Sequence, residues 1–270
     1  MCRGLRVYSI QINSIATQAL PVLPPPIVCI CINQFHFYCK YECEFLHNQK
    51  IFFSTFNKKK AMQVIVFGAT GSVGKQLVKQ ALYKGYKVKA FGRNVFTADL
   101  PKDDNLELVQ GALFDEKEVY NAIKGCDVVL SALGGAADGT DVTRSLGIKN
   151  IIKQMQKANV KRIIAVGGMG ILNAADDTLL IDAPDYPPQY IPVGREHLKA
   201  YEALKTSGLD WTFVCCPDLI DAEATGEFIT NADYPPNPNK YQINTGNVAL
   251  FMLNEAVKNE YVQHRVGISN

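Results

Sequence analysis

Three glycines that close an apolar run carry the most specific chemistry in this sequence. Gln63-Val64-Ile65-Val66-Phe67 is rich in β-branched side chains and stops at Gly68. Gly71 and Gly74 follow at equal intervals, with Ala69-Thr70 and Ser72-Val73 between them. Lys75-Gln76-Leu77-Val78-Lys79-Gln80-Ala81-Leu82 then places apolar residues at helical spacing. A strand, a tight turn and a helix N-terminus together receive phosphate, because the first helical turn has backbone N–H groups with no internal partner. In the spacing Gly-x-x-Gly-x-x-Gly, Gly68 permits the turn and Gly71 lets N–H groups approach a pyrophosphate. Gly74 lets helix and strand pack closely. Glycines at this spacing also suit an ordinary turn, but the strand before and the helix after favour a dinucleotide site.

A second signal stands at the end of the next apolar run, residues 87–91, where Gly92-Arg93-Asn94 follows. An acidic residue here would hold the ribose 2′-OH of NAD, whereas a guanidinium pairs with the 2′-phosphate of NADP. Arg93 occupies the position and the first acid after it is Asp99. NADP(H) is therefore favoured over NAD(H), a solvated surface arginine being the alternative. Tyr201-Glu202-Ala203-Leu204-Lys205 matches the Tyr-x-x-x-Lys pattern in which a lysine lowers the tyrosine pKa for proton transfer. It lies in the last turns before Gly208, far from the expected chemistry, and reads as coincidence. Vicinal Cys215-Cys216 read as buried small apolar residues rather than a redox pair.

The elements that must position these groups alternate along the chain. Strands are expected over residues 63–67, 87–91, 106–110, 126–130, 161–166, 209–216 and 263–268. Helices are expected over 73–84, 116–123, 140–158, 195–206 and 247–257, with Asp115 a suitable N-cap and Ile148, Ile151, Ile152 and Met155 sharing one face. Such alternation predicts an α/β fold: a Rossmann-like, doubly wound, mostly parallel sheet with helices on both faces and a single domain. Residues 173–193 form a long proline-containing loop after the fifth strand, where doubly wound folds place substrates. Residues 222–243 read as an irregular, Pro- and Asn-rich excursion.

Composition divides the chain at Met62. Of 28 basic and 26 acidic residues, seven basic and two acidic precede Met62, so the two parts carry +5 and −3. The mildly acidic main part offers no basic face for nucleic acid. Five of eight cysteines also precede Met62, and three in the remainder point to a reducing, cytoplasmic setting. Residues 1–61, with Pro24-Pro25-Pro26 and Lys58-Lys59-Lys60, read as a poorly ordered extension upstream of a compact domain over 62–270, with Met62 the natural start. Their apolar stretch at 27–32 is too short to span a bilayer and has no cleavage site after it. Cys29, Cys31, Cys39 and Cys43 with His36 and His47 match no common zinc spacing, so no metal is expected.

With these residues in view, the chain resembles the atypical short-chain dehydrogenase/reductase superfamily, whose NAD(P)H-binding members include NmrA-like proteins. The resemblance rests on residues 68–74, Gly125-Cys126-Asp127-Val128-Val129, Lys161-Arg162-Ile163-Ile164, and Ser207-Gly208-Leu209-Asp210-Trp211-Thr212. It is nearest to the NADPH-dependent flavin reductase/biliverdin-IXβ reductase group, over nearly all of residues 62–270. The resemblance implies a cofactor site in which Gly68, Thr70, Gly71, Ser72 and Val73 take the pyrophosphate, with Gly74 part of the same cofactor-binding turn, Arg93 the 2′-phosphate and Leu113 the adenine. Leu133 and Gly134 would line the ribose, and Val166, Gly167, His197, Asp218 and Leu219 the nicotinamide half. His197 is the candidate catalytic residue, a histidine on the helix surface being the alternative. Departures are Ala112 for an acid beside the adenine, Gly168 for a serine beside the substrate, and Asp218 for a histidine. The implied activity is hydride transfer to a flavin-like or other planar small-molecule acceptor, without nucleic acid or membrane. A non-catalytic NADP(H)-dependent sensor and, more weakly, a nucleotide-sugar epimerase are the alternatives. Oligomeric state is not indicated.

Overall fold

The computed structural model describes residues 61–175 and 178–270. The expected extension and its cysteines and histidines lie outside the described residues. An eight-stranded sheet runs in the order β3-β2-β1-β4-β5-β6-β10-β8. Its strands are β1 (Gln63–Phe67), β2 (Lys87–Gly92), β3 (Leu106–Gln110), β4 (Val128–Ser131), β5 (Arg162–Gly168), β6 (Asp210–Cys216), β8 (Ile229–Ala232) and β10 (His264–Ser269). All neighbours are parallel except β10 and β8, where Val266 faces Ala232 in an antiparallel edge pair. Val64 to Phe67 and Val128 to Ser131 are buried without alternation, as central strands covered on both faces require.

Helices α1 (Ser72–Tyr83) and α5 (Thr245–Lys258) cover one face, packing Leu77, Val78, Val248 and Met252 on Val64 and Val66. Helices α2 (Glu116–Ile123), α3 (Thr143–Ala158) and α4 (Ile191–Lys205) cover the other, where Ile148, Ile151, Ile152 and Met155 meet Ile65 and Phe67. The Rossmann-like, doubly wound sheet is thus present, with crossovers running outward on either side of β1 and β4.

Three boundaries differ from expectation for local reasons. Helix α3 starts at Thr143, because Asp138 accepts from the Thr140 N–H at 3.0 Å and ties 138–140 into a turn. Asp141 then accepts from the Thr143 N–H at 2.6 Å. Helix α4 starts earlier, at Ile191, with Pro192 in the first turn where a missing N–H has no intrahelical partner to lose. The stretch 222–243 is not wholly irregular: it holds β8 and β9 (Gln242–Asn244), the latter paired in parallel with β7 (Asp218–Ile220). Asn247 anchors it, its Oδ1 accepting from the N–H groups of Thr225 at 2.9 Å and Gly226 at 3.1 Å.

Candidate functional site

A cleft of about 1330 Å³ opens at the C-terminal ends of β1, β2, β4, β5 and β6. It straddles the β1/β4 position where the winding reverses, the usual ligand crevice of open α/β sheets. At one end lies the glycine turn. Gly68 has φ +77°, and a Cβ there would sit 2.3 Å from the Ala132 carbonyl oxygen. A Cβ on Gly74 would sit 2.0 Å from the Gly68 carbonyl oxygen, so this glycine holds α1 against the turn. Gly74 itself is buried and does not line the cleft. Gly71 differs again. Its backbone is extended (φ −79°), and a Cβ would meet nothing nearer than 3.5 Å. No protein contact demands glycine at 71, whereas a phosphate approaching from the cleft would. Thr70, Gly71, Ser72 and Val73 line the cleft, and helix α1 has no side-chain cap and no acid in its first turn. Uncapped N–H groups facing open space suit an anion.

Arg93 lies exposed at the cleft edge beyond β2, and no described residue forms a hydrogen bond or ion pair with its guanidinium. Leu113 and Leu133 both line the cleft and pack over Gly147 of α3, where a Cβ would come within 2.5 Å and 2.9 Å of them. Gly134 has open space around it.

At the other end, Val166, Gly167, His197, Asp218 and Leu219 line the same cleft. His197 is buried, edge-on to Phe213 at 6.4 Å, so the surface reading of this histidine does not hold. Its ring also explains Gly168, since a Cβ there would lie 2.8 Å from His197 Cδ2. Burial, aided by the nearby Arg144 charge, pushes the His197 pKa down to about 3. The imidazole is therefore neutral near pH 7, and its Nδ1 has no hydrogen-bond partner among the described residues. Asp218 accepts from the Tyr190 hydroxyl at 3.2 Å and 3.3 Å, and its negative charge, together with that hydrogen bond, raises the Tyr190 pKa. Tyr186 also lines the wall, its hydroxyl resting where a Cβ on Gly170 would be.

Sequence reasoning missed Arg144, Tyr186 and Tyr190. The two tyrosines stood in the long loop already suspected of facing substrate; Arg144 had no local signal. Tyr201 and Lys205 lie outside the cleft. Tyr201 stacks among Trp211, Phe213 and the Arg265 guanidinium, and Lys205 Nζ is 6.0 Å from its ring centre. Cys126, Cys215 and Cys216 are free and buried, and burial pushes the Cys216 thiol up to about 12. Among the described residues there is no cluster of His, Cys, Asp and Glu able to hold a metal, and no helix is long and apolar enough to cross a membrane.

A doubly wound sheet with an uncapped glycine turn at its switch point defines a dinucleotide-binding α/β protein. The family model described as NAD(P)H-binding matches residues 68–259, and the chain belongs to that family. Its ligand is accordingly a nicotinamide dinucleotide. The structure of a proposed NADH-flavin reductase from Streptococcus pneumoniae TIGR4 superposes with a TM-score of 0.67 at 26% identity, covering 78% of this chain and 100% of that one. The uncharacterized protein YwnB of Bacillus subtilis (strain 168) is 28% identical over 179 residues, 64% of this chain and 80% of that protein. The photosystem II assembly factor Ycf39 of Synechocystis is 30% identical over 118 residues, 43% of this chain but only 35% of that protein.

Proposed function

We propose that the chain is an NADPH-dependent reductase that passes hydride to a flavin-like or other planar acceptor. The observation that carries this reading is a single cleft running from Arg93 and the glycine turn to the His197–Tyr186–Asp218 wall. Its volume exceeds the roughly 300–1,000 Å³ of common small-molecule sites, leaving room for an acceptor beside a dinucleotide.

In this reading the N–H groups at the start of α1 hold the pyrophosphate, and Arg93 pairs with the 2′-phosphate. Leu113 packs on the adenine, and Leu133 and Gly134 on the ribose. When bound, the nicotinamide supplies the hydride. His197, neutral and buried, acts as a wall that orients the nicotinamide half and excludes water, and not as an imidazolium acid. Val166, Gly167, Asp218 and Leu219 complete that wall. With no Tyr/Lys pair lining the cleft, an acceptor whose reduced form takes its proton from water fits best. Titration with NADPH and NADH, followed by turnover with flavins, quinones and a tetrapyrrole, tests the reading. Tight NADPH binding with no oxidation by any of these acceptors would overturn it.

A second reading, an NADP(H)-dependent binding module, is favoured by one feature: no described side chain at the acceptor end forms an acid/base couple beyond the Tyr190–Asp218 contact. The similarity to Ycf39, an assembly factor, supports it. It expects a protein partner whose affinity changes with NADPH, and an unchanged affinity would count against it.

A further inference from the structure

Arg144 is a half-buried guanidinium on the cleft wall with no acidic partner. Its Nη1 donates to the Ala136 carbonyl at 2.9 Å and its Nη2 to the Gly135 carbonyl at 2.8 Å, which fixes the plane of the fork. The nearby carboxylates are engaged elsewhere. Asp141 accepts from the N–H groups of Thr143 at 2.6 Å and Ala136 at 3.2 Å. Glu196 is buried between Ser145 Oγ at 2.6 Å and Lys199 Nζ at 2.7 Å. Two of the five guanidinium N–H donors are thus used on neutral carbonyls, and no ion pair to Arg144 forms among the described residues. Asp141 and Glu196 act on this partly desolvated charge only through space, and an acidic ligand group could pair with its remaining N–H donors directly.

Its position points to the acceptor end. A Cβ on Gly139 would lie 2.9 Å from Pro192 Cβ, so the loop that Arg144 braces touches the start of α4, between Tyr190 and His197. Arg93 marks the opposite end of the cleft. We propose that Arg144 is an anion subsite of the cleft, taking a carboxylate or phosphate carried by the acceptor. Assigning the anion to an acceptor rests on the reductase reading; the cofactor's own phosphates are the other source of the same chemistry.

FMN and riboflavin share one ring system and differ by a phosphate, which makes them the probes. Their affinities are measured by flavin fluorescence quenching on the full chain preloaded with NADP⁺. FMN is expected to bind on the order of ten- to a hundredfold tighter than riboflavin, an advantage that shrinks with added salt. Arg144→Gln should reduce that gap to roughly threefold or less, leaving riboflavin and NADP⁺ affinities nearly unchanged; Arg144→Lys should retain part of it. Equal affinities in the wild-type chain, no binding of either flavin, or equal losses in Arg144→Gln would overturn the subsite. Weakened NADP⁺ binding as the sole change would assign Arg144 to the cofactor phosphates and overturn it too. Turnover separates the two readings. FMN held through Arg144 but not reduced overturns the reductase alone, whereas both flavins reduced with equal kcat/KM overturns the subsite alone.

Discussion

Both ends of the cleft are built on glycines, and the two sets answer to different neighbours. At the cofactor end, Cβ atoms on Gly68 and Gly74 would strike backbone carbonyls, at 2.3 Å and 2.0 Å. At the opposite end, Cβ atoms on Gly167, Gly168, Gly170 and Gly194 would strike the side chains of Phe213, His197, Tyr186 and Ile181. Backbone pinned at a strand end and in a tight turn yields less readily than side chains, which can turn or be exchanged. The turn at the first end is therefore held in one shape, and the wall at the second is adjustable. That asymmetry suits a scaffold that keeps its dinucleotide turn while the opposite wall varies.

The sharpest way to break the comparison is to add one methyl at each end. Gly74→Ala should cost ~3 kcal/mol of stability by urea unfolding, since only a shift of α1 against the turn can relieve the overlap. A variant as stable as the parent would remove the distinction between the ends. Arg93→Ala should weaken NADPH by about 1.5–3 kcal/mol and barely alter NADH, as measured by calorimetric titration. Equal losses for both cofactors would show that Arg93 does not read the 2′-phosphate.

The His197 end should reveal itself through pH. His197 has a pKa of about 3 in the folded chain against an ordinary value of 6.5. Between those values the unfolded chain binds the extra proton, so stability falls as pH drops below about 6.5, by up to ~1.4 kcal/mol per pH unit. Above that range this group contributes no pH dependence. Urea midpoints from pH 7 to 5 should decline less steeply in His197→Gln, and an identical slope would refute the buried neutral imidazole. The smallest effect belongs to Gly168→Ala, about 1 kcal/mol, because the His197 ring can pivot away from the new methyl. Combined with His197→Ala, the cost should largely vanish, a coupling that additive losses would contradict.

What could be read in the sequence follows the same division. The order of βα units was legible because each strand is a continuous apolar run and each helix an amphipathic one, and Asp115 caps α2 by accepting from the Glu118 N–H at 2.9 Å. The glycine turn was legible because its demands arise within a dozen residues. The short strands β7, β8 and β9 were not, since their pairing partners lie in distant segments: β8 against β10, β7 against β9. Gly168, a puzzling departure from the flavin reductase pattern, becomes intelligible only with His197 beside it.

The sequence by itself determined the alternating α/β architecture and a glycine turn at the start of α1, because periodicity and close backbone approach are local properties. The tertiary structure alone decided that His197 is buried and neutral, that Tyr190 reaches Asp218, and that Arg144 faces the cleft without a carboxylate. Those facts depend on which side chains meet across segments far apart in the chain. No spacing rule encodes such meetings, because packing chooses them only once the sheet has been wound.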